Sequence, residues 1–179
     1  MPEIEIRPTV AADMPVLLKL EHSFNTNYVW QMERLIEEGQ ISVGFREVRL
    51  PRSVKVEYPR SIELTQQLWP QRQAMLTATI ENVPVGYMRL EDQFSPNSAW
   101  ISDVVVGEKI RRKGIATALL LAAQQWAVQR RLRRVVLAMQ SKNHPGIQLA
   151  NKLGYEFCGF NDHYYANQDI ALFFARYVR

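Results

Sequence analysis

Cysteine is almost absent from this chain. Cys158 is its one thiol, so no intramolecular disulfide and no multi-cysteine metal centre can form. Histidine is nearly as sparse: His22, His144 and His163 are scattered and match no ligand spacing such as H-E-x-x-H, so no bound metal is expected. Long apolar runs are missing, none approaching the roughly 18–20 residues that cross a bilayer. The opening MPEIEIRPTV has no charged segment followed by an apolar one and does not read as a secretory signal. No low-complexity tract, flexible linker or internal repeat divides the 179 residues. Residues 1–179 therefore read as one domain with a substantial core, cytoplasmic and free of membrane and metal.

What charge there is leans positive, at a net +4. That suits a small anionic ligand and falls short of the concentrated basic face of a nucleic-acid binder. A second basic cluster, RRLRR at Arg130–Arg134 after the run Arg111–Lys113, lies at the end of a predicted helix, where cations complement the dipole. It reads first as a solvated helix end.

Periodicity supplies the elements. EIEIRP alternates as a half-buried strand, and TVAADMPVLLKLEHSF (Thr9–Phe24) carries a helical stripe of Met14, Leu17, Leu18 and Leu20. A second helix is expected over Tyr28–Glu38, ending near Gly39. From Ile41 to Pro59 the period becomes two, suggesting an extended arm or hairpin. Gln73–Gln93 reads as a hairpin turning at Asn82–Pro84, and SAWISDVVVG as a strand covered on both faces. A long buried helix follows, then the strand RRVVLAMQ. The short helix HPGIQLANKLGY has Pro145 at its start and Gly154 just past its end, and EFCGF and DIALFFARYV close the chain as strands.

Chemistry concentrates in VVVGEKIRRKGIAT. A strand ends at Val106, a loop crosses, and Gly114 to Thr117 open the long helix. The first amides of a helix lack internal acceptors, and Gly114 and Ala116 keep side chains out of their way. Such a turn can cradle a phosphate, while Arg111, Arg112 and Lys113 place cations where a helix dipole alone disfavours them. An ordinary turn with a solvated basic loop fits the same residues equally well. No Walker A or G-x-G-x-x-G motif is present at this turn.

Arg111-x-x-Gly114-x-Ala116 after a valine-rich strand resembles the acyl-CoA-binding signature of the GNAT superfamily of N-acetyltransferases. NHPGIQLANKLGYEFCGF is similar to that family's downstream segment, and GFNDHYYANQDIALFFARYV to the C-terminal strands of its streptothricin acetyltransferase-type members. The resemblance runs from EIEIRPTVAAD to the end and explains Ile41–Arg72 poorly. It implies a mixed α/β (α+β) fold with a central, mostly antiparallel twisted sheet flanked by helices. It also implies acetyl-CoA as acetyl donor. By the resemblance, the backbone of Val104, Val105 and Val106 would pair with the pantetheine arm. Amides of Arg111, Arg112, Lys113, Gly114, Ile115, Ala116 and Thr117 would hold the pyrophosphate, with Arg112 and Lys113 near the ribose phosphate. Asn143 would bond the pantetheine arm, unless it only caps the helix that follows.

One position departs from the pattern. The tyrosine that many members carry three residues before Leu-Gly-aromatic is Ala150 here, so the departing thiolate needs another acid. Tyr164 and Tyr165 are candidates, against the plain reading of strand aromatics that fill the core. Asp103, a charge inside WISDVVV, is the candidate base for the amine proton, and a structural, paired Asp is the competing reading. Tyr28, Trp30 and Trp69, with Glu21 and Glu33, could line an acceptor pocket. Cys158 has no evident activating partner, which favours direct transfer in a ternary complex. The expected acceptor is a primary amine of a small molecule or peptide, with no nucleic acid, and a homodimer is left open. A CoA-binding or protein-interaction module of the same fold without catalysis is the alternative.

Overall fold

The computed structural model describes residues 3–71, 74–92 and 94–179. Its organising element is a seven-stranded sheet of order β1-β4-β5-β6-β7-β9-β8. The strands are β1 (Ile4–Pro8), β4 (Ala74–Ile80), β5 (Val83–Glu91), β6 (Ser98–Val106), β7 (Arg134–Gln140), β8 (Glu156–Asn161) and β9 (Ala171–Tyr177). All neighbours are antiparallel except β6 and β7. This is the mixed, mostly antiparallel sheet expected. The β4–β5 turn falls one residue earlier than the sequence suggests: Glu81 and Asn82 both take positive φ, the geometry that matches a two-residue hairpin to strand twist. Gln73 and Gln93, the ends of that predicted hairpin, and Arg72 lie outside the described residues.

Helices cover the sheet unequally. α3 (Ile115–Gln129) and α4 (His144–Lys152) pack on one face over Leu76, Met88, Ile101, Leu137 and Leu172. The other face carries a smaller cluster of Met14, Leu17, Met75, Tyr87 and Val105 beneath α1 (Met14–Leu17), beside α2 (Ile62–Leu68). α4 begins on an Asn143 cap with Pro145 as its second residue and ends before Gly154 at φ +75.

Two helix expectations are corrected. Thr9–Phe24 is helical only at Ala11–Asp13, a 3-10 turn, and Met14–Leu17. Past Val16 the backbone closes i→i+3 bonds, Lys19 to Val16 and Leu20 to Leu17, which tighten the chain and end the helix. The helix expected over Tyr28–Glu38 is instead strand β2 (Phe24–Glu37), paired with β3 (Gln40–Val56) continuously from Tyr28 to Glu37 and, beyond a register shift at Asn27, from Phe24 to Thr26. Its Met, Glu, Arg and Leu suit a helix intrinsically. A helix there would present exposed Leu35 and Ile36 with no face to bury, whereas the hairpin pairs the facing backbone groups of its two strands. Gly39 supplies the turn at φ +74. The extended reading of Ile41–Pro59 holds through Val56, and α2 was not anticipated at all.

Candidate active site

The central strands do not stay together. β6 and β7 pair in parallel from Ser98–Arg134 to Ile101–Leu137, and both continue beyond that point unpaired to each other. The cause is local. A bulge at Ser102, between the pairs Leu90–Ile101 and Arg89–Asp103, bends β6 away where its ladder with β7 ends. A cleft of about 650 Å³ opens in the gap, lined by Asp103 to Val106 on one side and Leu137 to Gln140 on the other. Val104 and Val106 face the core under α3, while Asp103 and Val105 face the opposite side of the sheet.

At one end the cleft meets the start of α3. Arg112 takes φ +67 and Gly114 φ +85, turning the loop so that successive amides present outward. The first α3 amide with a backbone acceptor is Ala118, bonded to Gly114. Nothing lies within 4 Å of a Cβ built on Gly114, so the space before the helix is open. Arg112, Gly114, Ile115, Ala116 and Thr117 line the cleft. The Arg111 side chain is committed to the protein, donating from Nε to the Val106 carbonyl at 2.9 Å and from Nη2 to that of Glu21. It braces the loop, and Arg111 also stands in the cleft wall. Lys113 is exposed and does not line the cleft.

Asn143 is the α4 cap and also a residue of the cleft wall. Its Oδ1 accepts from the Gly146 amide at 3.0 Å. Its Nδ2 group is left to serve a second acceptor. Ala150 is fully buried under the sheet, so no acid stands at that position.

The other end of the cleft is where sequence reasoning fell short. Asp103 is buried among charged and polar partners: Tyr58 donates to Oδ1 at 2.8 Å, Arg60 Nε donates to Oδ1 at 3.2 Å, and Oδ2, which accepts no hydrogen bond, lies 2.8 Å from Arg89 Nη2 as an ion pair. A carboxylate so occupied is the anchor of a charge network, and the geometry favours the structural reading over a free base. His22 and Tyr58 line the cleft beside it, and Tyr87 lies beneath. The His22 ring packs on Tyr58 at 4.8 Å between centroids. Burial pushes the His22 imidazole below its usual range, and burial pushes the Tyr58 and Tyr87 phenols well above theirs. His22 and Tyr58 sit where periodicity is weak. Arg89 carried a usable signal: a cation inside the buried run VGYMRL, cross-strand from an anion inside WISDVVV.

Tyr165 lines the cleft with the Arg60 guanidinium 5.3 Å from its ring centre, and burial raises its phenol. Tyr164 does not line it; it packs edge-on against Tyr165 and Phe173. The proposed acceptor aromatics are packing groups: Tyr28 stacks on His144, Trp30 leans on the main core and Trp69 on the smaller one. Glu33 pairs with Arg46, and Glu21 accepts from the Ser23 amide. Cys158 is exposed on β8, away from the cleft.

Comparison with known proteins gives a family and a fold. The family described as acetyltransferase (GNAT) matches residues 43–155. No curated protein sequence matches the chain. Among solved structures, nourseothricin acetyltransferase superposes with a TM-score of 0.82 at 18% identity, covering 98% of this chain and 99% of that one. A streptothricin acetyltransferase of Bacillus anthracis, described as putative and solved with acetyl coenzyme A, gives 0.75 at 19% identity, covering 98% and 99%. A ribosomal-protein-alanine N-acetyltransferase of Brucella melitensis gives 0.65 at 21%, covering 97% and 99%.

Proposed function

Because this chain belongs to the acetyltransferase (GNAT) family, we propose that it is an acetyl-CoA-dependent N-acetyltransferase acting, as one domain, on a primary amine of a small molecule or peptide. The observation that carries the reading is the parting of β6 and β7 into a cleft that ends on the open amides of the α3 turn. A strand-like pantetheine arm fits the first part and a diphosphate the second. When bound, acetyl-CoA supplies an activated thioester carbonyl.

The chain's own residues then divide the work. The unpaired edge of β6 at Val104–Val106 orients the arm. Amides from Arg112 to Thr117 hold the diphosphate, with Arg112 at the rim and Lys113 beyond it. Asn143 Nδ2 is available to the arm, and Asn143 Oδ1 keeps the helix start fixed. The acceptor enters beside His22, Phe24, Asn25 and Tyr58. The position of Cys158, exposed and outside the cleft, favours direct attack by the amine over a thioester on the protein. Tyr165 is the cleft-facing acid candidate for the departing sulfur; Tyr164 supports its ring.

The test is acetyl transfer to a panel of lysine, lysyl peptides and polyamines, followed by mass spectrometry. An increment of one acetyl group on an amine, with thiol released only when that amine is added, is expected. Thermal stabilisation by CoA with no product anywhere in the panel would favour a binding module, the reading that buried Ala150 keeps in view.

A further inference from the structure

We infer that Gln140 receives the acceptor amine, its side-chain Oε1 serving as a fixed and uncharged hydrogen-bond acceptor for one N–H of the nucleophile. This deepens the acyl-transfer reading above and rests on it.

The partners of the amide fix its orientation. Gln140 is the last residue of β7 and is 4% exposed. Its Nε2 donates to Asp169 Oδ2 at 2.7 Å and, at a longer 3.5 Å, to the Glu57 carbonyl. A carboxylate and a carbonyl only accept, so the nitrogen must face both of them. A reversed amide would set Oε1 against a carboxylate oxygen at 2.7 Å. Asp169 is itself held in place. Its carboxylate also accepts from Lys142 Nζ and Asn167 Nδ2, and its backbone carbonyl accepts from the amides of Tyr164 and Tyr165. Both N–H bonds of the Gln140 amide are therefore used, and Oε1 points away from them. No donor among the described residues reaches Oε1, and the atom is not sealed from solvent. Gln140 lines the cleft. In so buried a residue an amide oxygen without a donor is an unfilled place for a hydrogen bond.

The sheet puts that oxygen at the reacting end. The unpaired edge of β6 runs from Asp103 to Val106 and leads on to the α3 turn. With the diphosphate at the turn, the acyl end of a bound arm lies toward Val104. Gln140 stands three residues past Leu137, as Val104 stands three past Ile101, and Ile101–Leu137 is the last pair of the parallel ladder. Leu137 and Met139 pack into the main core beneath α3. By alternation Gln140 faces the other side of the sheet, as Asp103 and Val105 do. Tyr58 and Tyr165 line the cleft there.

Lack of charge suits the task. Among the described residues that line the cleft the one carboxylate is Asp103, and Arg60 and Arg89 already engage it. A free carboxylate beside the amine would favour the ammonium form, which has no lone pair to give. An amide oxygen takes one N–H without adding that bias and leaves the lone pair to the acyl carbonyl.

Two substitutions separate this contact from a structural clasp. Gln140→Met keeps the length and removes both ends of the amide, whereas Gln140→Glu removes the N–H donors and keeps an oxygen toward the cleft. For the best amine of the panel, Gln140→Met should raise the amine KM about 3–10-fold and leave the acetyl-CoA KM within about 2-fold. Gln140→Glu should recover the amine KM to within about 2-fold of the wild type. An equal rise in both variants would make Gln140 a clasp only and overturn the inference. An unmoved amine KM in folded Gln140→Met, or a rise confined to acetyl-CoA, overturns it as well. The orientation is read without substrate, by hydrogen exchange of side-chain amides in the nitrogen-labelled free protein. The Gln140 protons should exchange more slowly than those of exposed Gln129, and Asp169→Ala should remove the difference. Equal exchange in the wild type overturns the fixed amide. If the wild type acetylates no amine, the functional reading fails and this one with it; if it does and Gln140→Met is unmoved, this one fails alone.

Discussion

Replacing Gly114 by Ala separates the cost of the turn from its use. Gly114 holds φ +85, and an added Cβ meets nothing within 4 Å. The penalty is therefore conformational, roughly 1–2 kcal/mol for an L-residue in the left-handed region. Part is offset by roughly 0.4–1 kcal/mol from a stiffer unfolded chain. A net of about 1 kcal/mol corresponds to a fall in Tm of roughly 2–4 °C for a chain of this size. If the turn relaxes to negative φ, one or two amides swing away from the diphosphate. Each bond to a charged group is worth about 1.5–3 kcal/mol, so CoA affinity should drop at least about 10-fold, and about 30-fold for a loss of about 2 kcal/mol. Thermal melts with and without CoA measure both effects. At a ligand concentration about 100 times the wild-type Kd, the wild type gains about 2.7 kcal/mol, while a 30-fold weaker variant gains about 0.9 kcal/mol. Pantetheine, which lacks the diphosphate, should not distinguish the two proteins. A variant whose free form melts lower but which keeps the full CoA gain would refute the assignment of these amides.

Arg89→Met should cost about 3–5 kcal/mol in urea unfolding, because it leaves the buried Asp103 carboxylate with Arg60 as its one cation and Tyr58 as its one neutral donor; a cost below about 1 kcal/mol would show that the pair is not what holds β5 to the bulged end of β6. The depressed His22 means that the unfolded chain binds its proton more readily, so stability is full above the ordinary value of 6.5 and declines as pH falls below it. His22→Gln should remove that part of the decline, and identical Tm differences between pH 8 and pH 5 in the two proteins would contradict it. Asp13, held below the usual carboxylate range chiefly by its bond to Arg7, contributes stability that disappears as pH falls past 3.8. Asp13→Asn should therefore flatten the acid side of the stability curve, read by circular dichroism.

Where backbone pattern carries the information, the sequence was readable. The α3 turn, the bracketing of α4 by Asn143 and Gly154, and the strand run from Ala74 to Val106 each follow from residues adjacent in the chain. The misread stretch, Tyr28–Glu37, is one where intrinsic preference and partner disagree; β3 supplies a complete ladder that no local rule announces. The site was half legible for the same reason. Backbone amides are encoded by a glycine and a helix start. The buried polar side chains beside the cleft stand far apart in the chain, at positions 22, 58, 87 and 103, and only folding brings them together. Asp103 was found because a charge in an apolar strand demands a partner, but the partners that fix its role lie far along the chain.

The parted strands have one more consequence, for solubility. Each leaves a stretch of backbone without a ladder neighbour, Asp103–Val106 on one side and Ala138–Gln140 on the other. On the rim of a sheet such a stretch would be a template for another molecule's strand, the usual start of aggregation. Here each is already paired on its outer side, with β5 and with β9, and the two open edges confront each other across a gap inside one sheet. A foreign chain would have to thread that gap end-on. The fold thereby keeps an interrupted sheet, with its hydrogen-bonding capacity intact, out of reach of its own kind.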